Sequence, residues 1–83
     1  MKYTVNWMPN AQAKLMDIWL QASDRADVTA AADSLEWVLK RSPNQVGQSL
    51  FDTVRSYAAF PLAVEYEVID ADRLVNVLTI WRT

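Results

Sequence analysis

The sequence predicts an α+β fold in the order β-α-α-β-β-β, a small antiparallel sheet with a helical hairpin packed on one face. Three observations carry this. Apolar and polar residues alternate at the start of the chain and again over its last third, the two-residue period of half-buried strands. Two stretches in between repeat their apolar residues at helical spacing. The final strands are joined by links of hairpin length, which suits antiparallel neighbours under one helical layer.

Tyr3, Val5 and Trp7 alternate with Lys2, Thr4 and Asn6, giving a first strand with one apolar side. Pro9 then suits a first helical turn, where its missing N–H would be unpaired in any case. Ala11, Leu15, Ile18, Trp19 and Ala22 form the stripe of a helix over about residues 9 to 21, with Gln12, Lys14, Asp17 and Gln21 opposite. Ser23 or Asp24 offers an N-cap for a second helix, and Asp24 and Asp27 favour its positive end. That helix carries Val28, Ala31, Ala32, Leu35, Val38 and Leu39; Lys40 and Arg41 complement its negative end, and Pro43 stops it. Its many alanines allow a close approach to the first helix.

Residues 42 to 49 read as a loop holding the chain's only glycine, Gly47. One strand is expected from about Phe51 to Ala59, after which Pro61 interrupts. Leu62, Val64, Tyr66 and Val68 then alternate with Ala63, Glu65 and Glu67, a half-buried strand with an acidic outer face. Residues 69 to 73 make a turn, and Leu74 to Trp81 form the last strand.

A length of 83 residues implies one domain over 1–83 with a modest core. The chain is 52% hydrophobic and 22% charged, with a net charge of -2, values of an ordinary globular protein. It has no cysteine and no histidine, which excludes disulfides, thiolate chemistry, zinc sites of the usual ligands and Ser-His-Asp triads. No cofactor or metal is expected. The alternating N-terminus does not read as a signal peptide, and no apolar run approaches a membrane span, so a cytoplasmic protein without membrane contact is expected. The acidic balance argues against direct nucleic-acid binding.

The segment Tyr3-Thr4-Val5-Asn6-Trp7-Met8-Pro9-Asn10-Ala11 resembles the opening strand and Pro-x-Ala helix start of the RelE/ParE superfamily, the toxins of type II toxin–antitoxin (plasmid stabilisation) systems. The resemblance continues through Leu15, Ile18-Trp19, Pro43, Gly47 and Arg55 to Pro61-Leu62-Ala63-Val64-Glu65-Tyr66-Glu67-Val68. It ends in Val75-Asn76-Val77-Leu78-Thr79-Ile80-Trp81-Arg82, similar to the family's terminal strand. It implies a growth inhibitor neutralised by a cognate antitoxin, acting either as a ribosome-dependent mRNA endonuclease or on DNA gyrase.

Cleaving RNA through a 2′-OH needs a proton acceptor, a proton donor and cations for the charged transition state. Arg55 and Arg82 alone stand where the resemblance places functional arginines, and Ala63 occupies a position where nuclease members often carry arginine. The sequence stops at Thr83, so no further catalytic tyrosine or histidine is expected after the last strand. The eight basic residues are scattered, with Lys40-Arg41 the only adjacent pair, a poor surface for ribosomal RNA. The expectation is therefore protein-target binding of the ParE kind, or lost activity, rather than RNA cleavage. An mRNA interferase using Arg55 and Arg82 is the alternative, and a non-toxic module of the same fold that self-associates as a homodimer is a third.

Several residues carry two readings. Arg55 is either a functional cation or a sheet-face cation paired across strands with Glu65 or Glu67. Glu65 and Glu67 are a carboxylate pair or simply a solvated strand edge. Tyr57 and Tyr66 read as packing residues, and Trp7 and Trp19 as core. Trp37 and Trp81 fall off the core stripes and are expected to contact an antitoxin or other partner, or to cap the core edge. An antitoxin segment wrapping the chain would need an apolar groove.

Overall fold

The computed structural model describes residues 2–83. Strand β1 (Thr4–Trp7) leads into helix α1 (Pro9–Gln21) and helix α2 (Arg25–Arg41). Four strands follow: β2 (Gln48–Phe51), β3 (Val54–Ala59), β4 (Leu62–Ile69) and β5 (Leu74–Arg82), with a 3-10 turn at Asp70–Asp72 before β5. The helices fall where the periodicity places them, and α1 begins on Pro9.

Two features depart from the expected β-α-α-β-β-β sheet. The segment read as one strand is two, β2 and β3, folded back at Asp52-Thr53 so that Phe51 pairs with Val54. Asp52 adopts a left-handed conformation there (φ 46°), which lets the chain reverse in two residues. The sheet is also mixed. Its order is β1-β5-β4-β3-β2, with β1 parallel to β5 and every other pair antiparallel. The two helices carry the chain from one sheet edge to the other, so the last strand closes against the first.

The helices cover one face. Val28, Leu35 and Leu39 of α2 and Ala11 of α1 are fully buried against Leu62, Val64 and Tyr66 of β4 and Val75, Val77 and Ile80 of β5. Burying each of the valine, leucine and isoleucine side chains contributes about 1.5–3 kcal/mol. The strand alternation therefore fixes which residues point away from the helices, and these form the open face.

Asp24 occupies the N-cap position of α2, but its side chain makes no capping bond. Its carboxylate is drawn instead to Arg82 at the end of β5 (2.5 Å). Arg25 performs a cap at the other end of the inter-helix link: its Nε and Nη2 donate to the Trp19 and Leu20 carbonyls (3.0 and 2.8 Å), satisfying the exposed C-terminus of α1. Gly47 has φ +67°, and a Cβ built there would stand 2.0 Å from the Ser56 carbonyl oxygen. Only glycine lets the loop pass this close to β3.

Candidate functional site

Cross-strand register arranges the open face in rows. Trp81 of β5, Ala63 of β4 and Ala58 of β3 form an apolar row. Next along β4 lies Thr79, Glu65, Ser56 and Gln48, and beyond it Asn6, Asn76, Glu67, Val54 and Phe51. Asn6 Nδ2 donates to Asn76 Oδ1 (3.2 Å), and Asn76 Nδ2 donates to Glu67 Oε1 (2.9 Å). Asn76 is almost wholly buried, so this relay fixes the Glu67 carboxylate on the face. Neither Glu65 nor Glu67 forms an ion pair among the described residues.

The strand arginines point the other way. Arg55 pairs in register with Tyr66 and Arg82 with Leu62, both residues of the buried side. Their partners stand four positions apart on β4, about 13 Å at the usual strand rise, so the sheet does not bring the two arginines together. Arg55 donates twice to the Val46 carbonyl, from Nη2 (2.9 Å) and Nε (3.2 Å). The cross-strand ion pair expected with Glu65 or Glu67 is absent, because Arg55 lies on the opposite face from both. Arg82 holds Asp24, and that hydrogen bond keeps the Asp24 carboxyl below its usual range.

Five further cations are engaged too. Arg41 stacks over Trp37 (4.5 Å to the ring centroid), Arg25 over Trp19 (4.6 Å) and Arg73 over Tyr3 (5.4 Å). Lys40 approaches Glu36 one helical turn away. Lys14 Nζ reaches Thr79 Oγ1 (2.9 Å) at the edge of β5. Thr79 pairs with Glu65 on the open face, so Lys14 reaches the edge of that face.

Tyr66 is fully buried, and its hydroxyl donates to the Pro43 carbonyl (2.8 Å). Burial pushes that phenol above its ordinary value, with Arg55 beside it opposing the shift. It acts as a packing residue with a satisfied polar end, not as an exposed proton donor.

The tryptophans separate into two places. Trp37 is 60% exposed on the outer side of α2, whereas Trp81 is 38% exposed on the open face. The two lie on opposite sides of the molecule and do not form one surface. Trp19, read from the sequence as core, is 37% exposed. Its ring lies across the gap to α2, and Nε1 donates to Thr29 Oγ1 (3.1 Å). Trp7 does the same from β1, donating to Glu36 Oε1 (3.2 Å). Between them the helices splay around a groove of about 600 Å³ lined by Trp7, Leu15, Met16, Trp19, Val28 and Ala32. Met16 and Leu20 stand exposed beside it. Sequence periodicity points to α1's stripe but not to this groove, since a stripe does not reveal how closely its partner helix approaches.

Among the described residues no cluster of metal-ligating side chains exists, and no helix is long and apolar enough to cross a membrane.

No family model matches the sequence, and no curated protein does. Solved structures do match. A chain of the RelBE2 toxin–antitoxin complex of Mycobacterium tuberculosis superposes with a TM-score of 0.82 at 21% identity, over 100% of this chain and 93% of that one. A chain of the chromosomal ParDE system of P. aeruginosa gives 0.72 at 18% identity, over 99% and 97%. The isolated E. coli RelE toxin gives 0.62 at 17% identity, over 98% and 84%. The chain thus has the fold shared by RelE and ParE toxins.

Proposed function

We infer that this chain is the toxin of a type II toxin–antitoxin system, a cytoplasmic growth inhibitor silenced by a cognate antitoxin. Its action is binding of a protein target, as for toxins directed at DNA gyrase, or it has lost activity; it does not cut RNA. One observation carries the choice of mode. Both strand arginines face the helices and are spent on internal contacts, while both strand glutamates face outward on the open sheet. A phosphodiester transition state placed on that face meets carboxylates where it needs cations. Structural neighbours from toxin–antitoxin complexes support the antitoxin, and the groove between α1 and α2 suits an apolar segment of it.

The test is induction in a bacterial host with and without the adjacent reading frame. Growth arrest relieved by the neighbour, with intact mRNA on translating ribosomes, is the expected result. Ribosome-dependent cleavage that disappears in Arg55→Ala/Arg82→Ala would establish the interferase instead. Growth unaffected by induction, with no complex on co-expression, removes the toxin reading altogether.

A further inference from the structure

The geometry points to the open sheet face as a docking surface for an extended basic segment of a partner protein, with the pattern apolar-x-basic-x-basic laid along β4. The rows define that pattern. Ala63 sits in the apolar row beside Trp81 and Ala58, and a shallow cavity of about 380 Å³ lies there, large enough for one aliphatic side chain. Glu65 and Glu67 follow on the same face, separated by about 6.6 Å, the two-residue repeat of a strand. An extended segment repeats its side chains at the same interval, so two basic residues meet two carboxylates while the apolar residue before them meets Trp81.

Charge sign selects the occupant. No strand residue on this face is basic, and Lys14 marks only the far edge at Thr79. Phosphate groups are repelled here, and an acidic peptide likewise. Glu67 is held in place by Asn76 and Asn6 before any partner arrives, which leaves its second oxygen to accept from a guanidinium. Half-exposed ion pairs of this kind select a partner more than they tighten it, so the surface reads sequence at modest affinity. The inference stands apart from the toxin reading: loss of growth arrest would leave the binding untouched.

The experiment is an amide NMR titration of the whole chain with a capped peptide, Leu-Ser-Arg-Ser-Arg-Ser-Leu, which satisfies the pattern in either chain direction. Saturable shifts are expected at Ala63 to Glu67, Ser56, Asn76 and the Trp81 indole. Glu65→Gln/Glu67→Gln should weaken binding fivefold or more. Should that double variant melt early, Glu65→Lys leaves the Asn76–Glu67 bond intact and must show the same loss. The proposal is overturned by shifts lying elsewhere or not saturating, by a loss below fivefold, or by a Glu-for-Arg peptide binding within fivefold of the original. A uridine hexanucleotide shifting the same amides overturns it equally.

Discussion

The Arg55 guanidinium and the Tyr66 hydroxyl, opposite each other in β3 and β4, converge on one carbonyl oxygen, that of Val46. Arg55 supplies its two bonds from the strand side, and Tyr66, whose proton goes to Pro43, closes the other side of the loop. The segment after α2 is thereby tied to the sheet by a charge-assisted fork and a buried phenol. A residue that looks like a catalytic cation in sequence is a clamp in the fold.

Arg55→Ala should therefore lower stability by about 1.5–3 kcal/mol, the worth of hydrogen bonds made by a charged group. Tyr66→Phe should cost about 1–3 kcal/mol by leaving the Pro43 carbonyl unpaired in the interior. Thermal melts of both variants check this. The pair also controls any activity test. If growth arrest falls equally in both, Arg55 acts through the loop, whereas a loss confined to Arg55→Ala at matched stability marks a direct role.

Acid should weaken the fold through two aspartates. The Arg82 hydrogen bond holds Asp24 below its usual value of 3.8, and the Tyr3 hydroxyl, with Asn44 behind it, does so for Asp70. A depressed folded value means each carboxylate stabilises the fold above its unfolded value and loses that contribution as pH falls through the folded one. The stability of the parent should drop below about pH 4. Asp24→Asn and Asp70→Asn should each start lower at pH 7 and show a flatter acid limb. Denaturant unfolding between pH 7 and pH 2.5 measures both.

Gly47→Ala should cost at least about 2 kcal/mol, more than a propensity change in a loop. The new Cβ has the Ser56 carbonyl oxygen at 2.0 Å, and the backbone φ of +67° disfavours any side chain. Because Ser56 pairs with Gln48, the strain falls on the β2–β3 pairing. Amide exchange of β2 should quicken more than that of β4.

Much of this fold is legible because its elements obey simple periods. Pro9 opens α1, Lys40 and Arg41 close α2, and the alternation from Leu62 to Val68 separates core from open face as the structure does. The missed features are non-local or atypical. Asp52-Thr53 lacks the glycine that announces a two-residue hairpin, so β2 and β3 merge into one strand when read by period alone. The parallel β1–β5 pairing joins residues about seventy positions apart, which no local pattern encodes. The face on which Arg55 lies follows from register with Tyr66, and a shift of one residue would have paired it with a glutamate instead. Trp19 fits a helical stripe, yet its indole caps a gap whose width depends on how α2 packs.

That gap gives the last prediction. The groove between α1 and α2 is held by two indole bonds, Trp7 to Glu36 and Trp19 to Thr29, and is flanked by Met16, 59% exposed on α1. Met16 borders the groove while taking no part in the buried core, so a charge there should spare the fold and oppose an apolar occupant. Met16→Glu should leave the melting temperature within a few degrees of the parent, as exposed substitutions do. On the proposed toxin reading, it should weaken the complex with the antitoxin at least tenfold, about 1.4 kcal/mol. Trp37→Ala, on the outer side of α2 under Arg41, distinguishes the two surfaces: affinity unchanged by Trp37→Ala and lost in Met16→Glu assigns the antitoxin to the groove. The opposite pattern, measured by calorimetry on the purified pair, assigns it to the outer face of α2.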